Sequence, residues 1–132
     1  MLLGAFGSVE VSDTGAAVAL LGPSLFGRER EELHVLHLGP RLGLIGHEIY
    51  ATGTKGSVAV PFRKLFQKAL ELESRALVLG HNHPDGDPRP SRADKAVTRR
   101  IVETARPLDI LILDHLIFGR SDWTSFRKLG LI

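Results

Sequence analysis

The run Ala76-Leu77-Val78-Leu79 constrains the fold more than any other segment, because it has no polar face and is too short for a helix. Bounded by Arg75 and Gly80, it is expected as a central strand buried on both sides. Ile110 to Phe118 is a second strand of the same character. A strand covered on both faces needs a layer above and below it, and two segments carry helical patterns. In one, Phe62, Leu65, Phe66, Ala69 and Leu70 recur at helical spacing opposite Arg63, Lys64, Gln67 and Lys68, with Pro61 at the start. In the other, Ala93, Val97, Ile101 and Ala105 share one face of a helix from about Arg92 to Ala105, which Pro107 stops.

Upstream, Ser12-Asp13 reads as the N-cap of a helix from Thr14 to Leu21, which Gly22-Pro23 ends. Leu33, Val35, Leu36 and Leu38, with His34 and His37 between them, predict a strand over Glu32 to Leu38. Leu42 to Tyr50 and Ser57 to Val60 read as further strands of a meander, separated by Gly53-Thr54 and Gly56. This order predicts an α/β fold, a three-layer-like sandwich of a mixed β-sheet with flanking helices. No repeat or linker divides the 132 residues, so a single domain over 1–132 is expected.

Several function classes lose support at this point. The chain has no cysteine, which rules out a disulfide framework and a thiolate metal site and suits a reducing cytoplasm. Met1 to Gly7 lacks the basic and small-residue flanks of a signal peptide, and no apolar run is long enough to span a membrane. The net charge is only +2 with no long run of like charges, so nucleic-acid binding is not supported.

The residues that carry chemistry sit where the Ala76–Leu79 strand runs out. In extended backbone a spacing of two sends His81 and His83 to one face and Asn82 to the other. Asp94 lies in the first turn of the following helix, and the Pro- and Gly-rich loop from Asn82 to Pro90 can fold that turn back over the strand end. Two imidazoles and one carboxylate are the ligand set of catalytic zinc, with a fourth position open for water. Bound zinc would bring the pKa of that water toward ~7, and a carboxylate base is still needed, for which Glu31, Glu32 and Glu48 are candidates. A plainer reading stands beside this one. Ser91-x-x-Asp94 is close to a capping box, and Ser91 as N-cap would account for both residues without a metal.

His81-Asn82-His83-Pro84 followed by Ser91-Arg92-Ala93-Asp94 resembles the JAMM signature HxHP…SxxD of the MPN (JAB) domain superfamily. Gly80 through Ser91, with Leu113-Asp114-His115-Leu116-Ile117 and Ser125-Phe126, is similar to the bacterial RadC family, and the likeness runs from about Glu29 to Ile132. The resemblance implies an MPN/JAB, cytidine-deaminase-like fold and a Zn2+ site made by His81, His83 and Asp94. It implies that Ser91 donates a hydrogen bond at the reacting centre and that Glu31 is the general base, with Glu48 as rival. Asp114 and His115 are candidates to support the zinc ligands. The chain departs from the family pattern at Asp85, where Ser is usual, and at Pro61-Phe62-Arg63, where Pro-Arg-Glu is usual. Longer members carry an N-terminal helix-hairpin-helix region, which is not expected here.

The function expected is a JAMM-type zinc hydrolase cleaving a peptide or isopeptide-like amide in a peptide or protein substrate. The alternative is a non-catalytic MPN-type interaction module that retains a metal site. A two-metal reading from His81-x-His83-x-Asp85 fails because Gly86 stands where a further histidine is required. A homodimer through exposed strand edges is also open.

Overall fold

A computed structural model describes residues 9–51 and 60–132. Among these the elements are, in chain order, α1 (Thr14–Leu25), β1 (Glu32–Leu38), β2 (Leu44–Ala51), α2 (Phe62–Glu71), β3 (Ala76–Asn82), α3 (Arg92–Ala105), β4 (Leu111–Phe118) and β5 (Trp123–Ser125). Short 3-10 turns lie at Pro40–Leu42 and Arg106–Leu108. The strands form one mixed sheet in the order β2-β1-β3-β4-β5. Its β3–β4 pair is parallel and its other pairs are antiparallel.

β3 takes the central place that its sequence predicts, and all seven of its residues are buried. Alternation along the strands divides the core in two. Leu36, Leu38, Val78, Leu116 and Phe118 meet Ala17, Leu21 and Leu25 of α1 on one face. Leu33, Val35, Leu77, Leu79 and Ile112 meet Leu65, Phe66 and Ala69 of α2 and Ile101 and Ala105 of α3 on the other. Full burial of a leucine contributes about 1.5–3 kcal/mol, so this two-sided burial outweighs what weak local propensity leaves undecided. A register shift between Leu77 and Val78 sets them opposite Ile112 and Asp114, which leaves Leu113 without a partner on β3. In consequence Asp114 turns toward α1 and His115 toward α3.

Helix α1 runs on to Leu25 instead of ending at Leu21. Asp13 caps it as expected, accepting from the Ala16 N–H at 2.8 Å. Pro23 cannot donate to the preceding turn, yet Leu21 and Leu25 are both fully buried and hold the last turn against the sheet. The Phe26 ring then lies over Gly22, where a β-carbon would come within 2.7 Å of it. β5 was not anticipated, being only three residues long. The expected strand over Ser57 to Val60 falls, apart from Val60, outside the described residues, as do Gly53-Thr54, Gly56 and the N-terminal Met1 to Gly7. No helix of the described residues is long and apolar enough to cross a membrane.

Candidate metal centre

His81 is the last but one residue of β3 and points to the α2–α3 face, while His83 follows two residues later on the same side. Asp94 is the third residue of α3. One ligand atom from each of the three lies within 4.8 Å of the others, and no other such group of metal-binding side chains occurs among the described residues. His83 Nε2 is 3.0 Å from Asp94 Oδ2, and His81 Nε2 is 3.3 Å from Asp94 Oδ1. The second contact is not aligned as a hydrogen bond, so the buried His81 Nε2 has no hydrogen-bond partner. A nitrogen left this way costs about 1–3 kcal/mol unless something else takes its lone pair. A cation between the three side chains would do so, and the donor set suits zinc.

Both imidazoles are oriented by what binds their other nitrogen. The Asp87 carbonyl, 2.7 Å from His83 Nδ1, can only accept, so the His83 proton sits on Nδ1 and its lone pair on Nε2. His81 Nδ1 is 2.7 Å from His115 Nε2, and His115 Nδ1 is 2.6 Å from Thr98 Oγ1. With protons on the Nδ1 atoms, His81 donates to His115 and His115 to Thr98, leaving His81 Nε2 as a free donor of electrons. The Phe126 ring stacks on His115 at 4.7 Å and fixes its plane. His115→Leu is therefore expected to weaken zinc binding about 10–100-fold by releasing the His81 ring, as measured by competition against a chelator. An affinity equal to wild type would leave His115 only a packing role.

The charges agree with this arrangement. Burial lowers the His81 pKa more than Asp94 raises it, so that ring stays neutral. Burial also lowers His115, well below the ordinary histidine value. For His83, burial is outweighed by the hydrogen bonds to Asp94 and Asp87, and its pKa is raised. Burial pushes the Asp94 carboxyl up, but the two imidazoles facing it and the hydrogen bond from the Ser91 N–H hold it well below the usual range.

The plainer reading of Ser91 and Asp94 is also realised. Ser91 Oγ accepts from the Asp94 N–H at 2.9 Å and Asp94 Oδ2 accepts from the Ser91 N–H at 2.8 Å, a complete capping box. Cap and ligand geometry coexist because the cap uses Oδ2, and Oδ1 remains turned to His81. The Ser91 hydroxyl proton is not used by the cap.

The three glutamates are placed very differently. β1 pairs Leu33 with His81, so continuing that register sets Glu31 level with His83. Glu31 is 8% exposed and lines a cavity of about 240 Å³ with His83, Pro84, Asp85 and Ser91. Glu32 pairs with Arg28 and His34. Glu48 lies on β2, two strands from β3, where the buried His37 holds it at 2.7 Å. Asp114 faces away from the ligands and gathers Ser125, Thr14 and the His115 and Arg127 N–H groups.

Two contributors are not visible in the motif. Asn82 reaches to the other side and clamps the segment that carries Glu31. Its amide donates to the Arg28 and Arg30 carbonyls at 2.9 Å, and its oxygen accepts from the Glu32 N–H at 2.8 Å. The only sequence hint was that a residue between two strand-end ligands must face away from them. Gly119, just after β4, lies against the ligand loop. A β-carbon there would collide with the Gly86 carbonyl oxygen and sit 2.9 Å from Pro88 Cδ. Gly119→Ala is expected to cost about 1–3 kcal/mol and to weaken metal binding by shifting the Asp87 carbonyl away from His83. Thermal melts with and without zinc check both effects.

A sandwiched mixed sheet with two histidines at the tip of its central strand and an aspartate in the next helix is the arrangement of a JAB-type domain. The family model for the RadC-like JAB domain matches residues 11–131, and the chain belongs to that family. It is 40% identical over 124 residues to UPF0758 protein YfjY of Escherichia coli, covering 94% of this chain and 78% of that one. It is 37% identical over 124 residues to UPF0758 protein STH371 of Symbiobacterium thermophilum, again over 94% of this chain. The matched region spans about half of that relative, 53% of its length. Neither relative's name carries an activity.

Proposed function

We propose that this chain is a zinc-dependent hydrolase that cleaves a peptide or isopeptide-like amide bond. The observation that supports it most is the buried, unpartnered His81 Nε2 facing Asp94 and His83. His81, His83 and Asp94 would hold the ion, and the chemistry it would supply there is Lewis-acid activation of the amide carbonyl and of a water. Glu31 would take the proton from the attacking water and return it to the departing nitrogen, which balances the step without any other acid. The Ser91 hydroxyl, its oxygen already accepting from Asp94, has its proton free to donate to the carbonyl oxygen as charge grows there. Glu48 has no part, being held by His37 two strands away.

The rival reading, a binding module that retains the metal, predicts the same ion but no turnover. The test is to incubate the zinc-loaded chain with a library of peptides and of lysine-linked isopeptides and look for new amino termini or freed lysine side chains. Cleavage that disappears with a chelator and returns with zinc supports the enzyme. Full metal loading with no cleavage across the library favours the module.

A further inference from the structure

We infer that the surface formed by the second half of α3, the start of β4 and the last residues of the chain is a homodimer interface. Leu108, Leu111, Leu129 and Leu131 are 37%, 54%, 56% and 40% exposed. They are four of the six exposed large hydrophobic residues among those described, the others being Ile49 and Leu70. Leu111 and Leu131 line one groove, and Leu108 and Leu129 lie within two residues of that lining along the chain, so the exposed apolar surface here exceeds a single scattered side chain. The groove has a volume of about 570 Å³, and its apolar lining is completed by Val102, Ile110 and Ile132.

The rim identifies the occupant. Arg99 and Arg106 stand beside the groove with Glu103 and Asp109. None of the four makes an ion pair among the described residues. Arg127 also lines the groove but is committed to the Leu113 and Ile112 carbonyls, so the side chains left to a partner form a rim of mixed sign around an apolar centre, which suits a partner carrying the same set in reverse order. A two-fold axis through the groove provides that, bringing the arginines of one copy to the acids of the other and the exposed leucines of each into the groove of its mate. A uniformly acidic or basic partner would satisfy only half of the rim.

The contact is one of side chains and not an extension of the sheet. β5 pairs only with Leu116 to Phe118, which leaves the start of β4 as an outer edge. There the Arg127 guanidinium covers the Leu113 and Ile112 carbonyls and blocks a further strand. The metal centre is at the opposite end of the sheet. β3 pairs Ala76 with Leu111 at one end and His81 with Ile117 at the other, a separation of about 17 Å along the strands, so both centres stay open in the dimer.

Sedimentation equilibrium of the wild-type chain at micromolar concentration is expected to show a dimer of the 14.4 kDa chain. Leu111→Asp, at an exposed position, is expected to yield monomer with an unchanged far-ultraviolet spectrum. A charge test guards against an unfolded variant. Arg99→Glu with Arg106→Glu in one chain, and Glu103→Lys in another, should each weaken self-association at least about tenfold. Mixing the two chains should restore the dimer, because opposite charges then meet across the axis. A wild-type chain that sediments as monomer over the whole concentration range overturns the inference. So does a dimer that all these variants leave as tight as wild type, since the contact would then lie elsewhere.

Discussion

Asp94→Asn is expected to strip the chain of its metal while leaving the fold in place. The amide oxygen can still accept the Ser91 N–H that the carboxylate takes at 2.8 Å, so the start of α3 keeps its cap. What disappears is the negative charge facing His81 and His83. If a structural-strength site contributes about 10–16 kcal/mol over four ligands, one ligand is worth about 3 kcal/mol, or a hundredfold and more in affinity. In the wild type, zinc at a hundred times its dissociation constant adds about 2.7 kcal/mol, which raises the melting temperature by roughly 10 °C for a chain of this size. The variant should show almost none of that rise. A wild-type protein that gains neither metal nor stability after zinc addition and dialysis would end the metal interpretation altogether.

The same site makes the affinity depend on pH in a definite direction. A protonated His83 cannot coordinate, and its pKa in the metal-free chain is raised above 6.5 by its bonds to Asp94 and Asp87. Zinc binding is therefore full above that raised value and falls by roughly tenfold per pH unit as the solution is acidified below it.

Glu31→Gln should do the opposite of Asp94→Asn, keeping the ion and removing the chemistry. The amide has the shape of the carboxyl but no basicity, and loss of a general base lowers turnover about 10²–10⁴-fold. Glu48→Gln should keep most turnover, because Glu48 is held by His37 on the far side of β1. Zinc content by elemental analysis and cleavage of any peptide found in the library screen separate the two. Loss of turnover in the Glu48 variant alone would reverse the assignment of the base.

Much of the fold was legible because its strongest signals are local. The Ala76–Leu79 run and the two amphipathic helices each state their own burial, and β3, α2 and α3 lie where those patterns lie. The coming together of His81, His83 and Asp94 was legible for a related reason: a spacing of two works on an extended strand and the intervening loop is rich in turn residues. What could not be seen depends on partners distant in sequence. Pro23 argues for a helix end, and only the contacts of Leu21 and Leu25 with the sheet overrule it. The Gly119 contact with Gly86 joins residues thirty-three apart and leaves no periodic trace. His115 stands beside Asp114 in the chain, yet only the bulge at Leu113 and the pairing with β3 set one against the ligands and the other against α1.

Asp94 Oδ2 takes the Ser91 N–H and lies beside His83 Nε2 while Oδ1 faces His81, so one carboxylate serves the helix end and would serve the ion at once. The two tasks are thermodynamically linked: each opening of the first turn of α3 must also disperse the ligand cluster, and each bound cation must hold that turn shut. Amide hydrogen exchange at Asp94 and Lys95, whose N–H groups bond to Ser91, should then slow on metal loading by a factor that reports the ion's own affinity. Loading is thus written into the dynamics of a single helical turn.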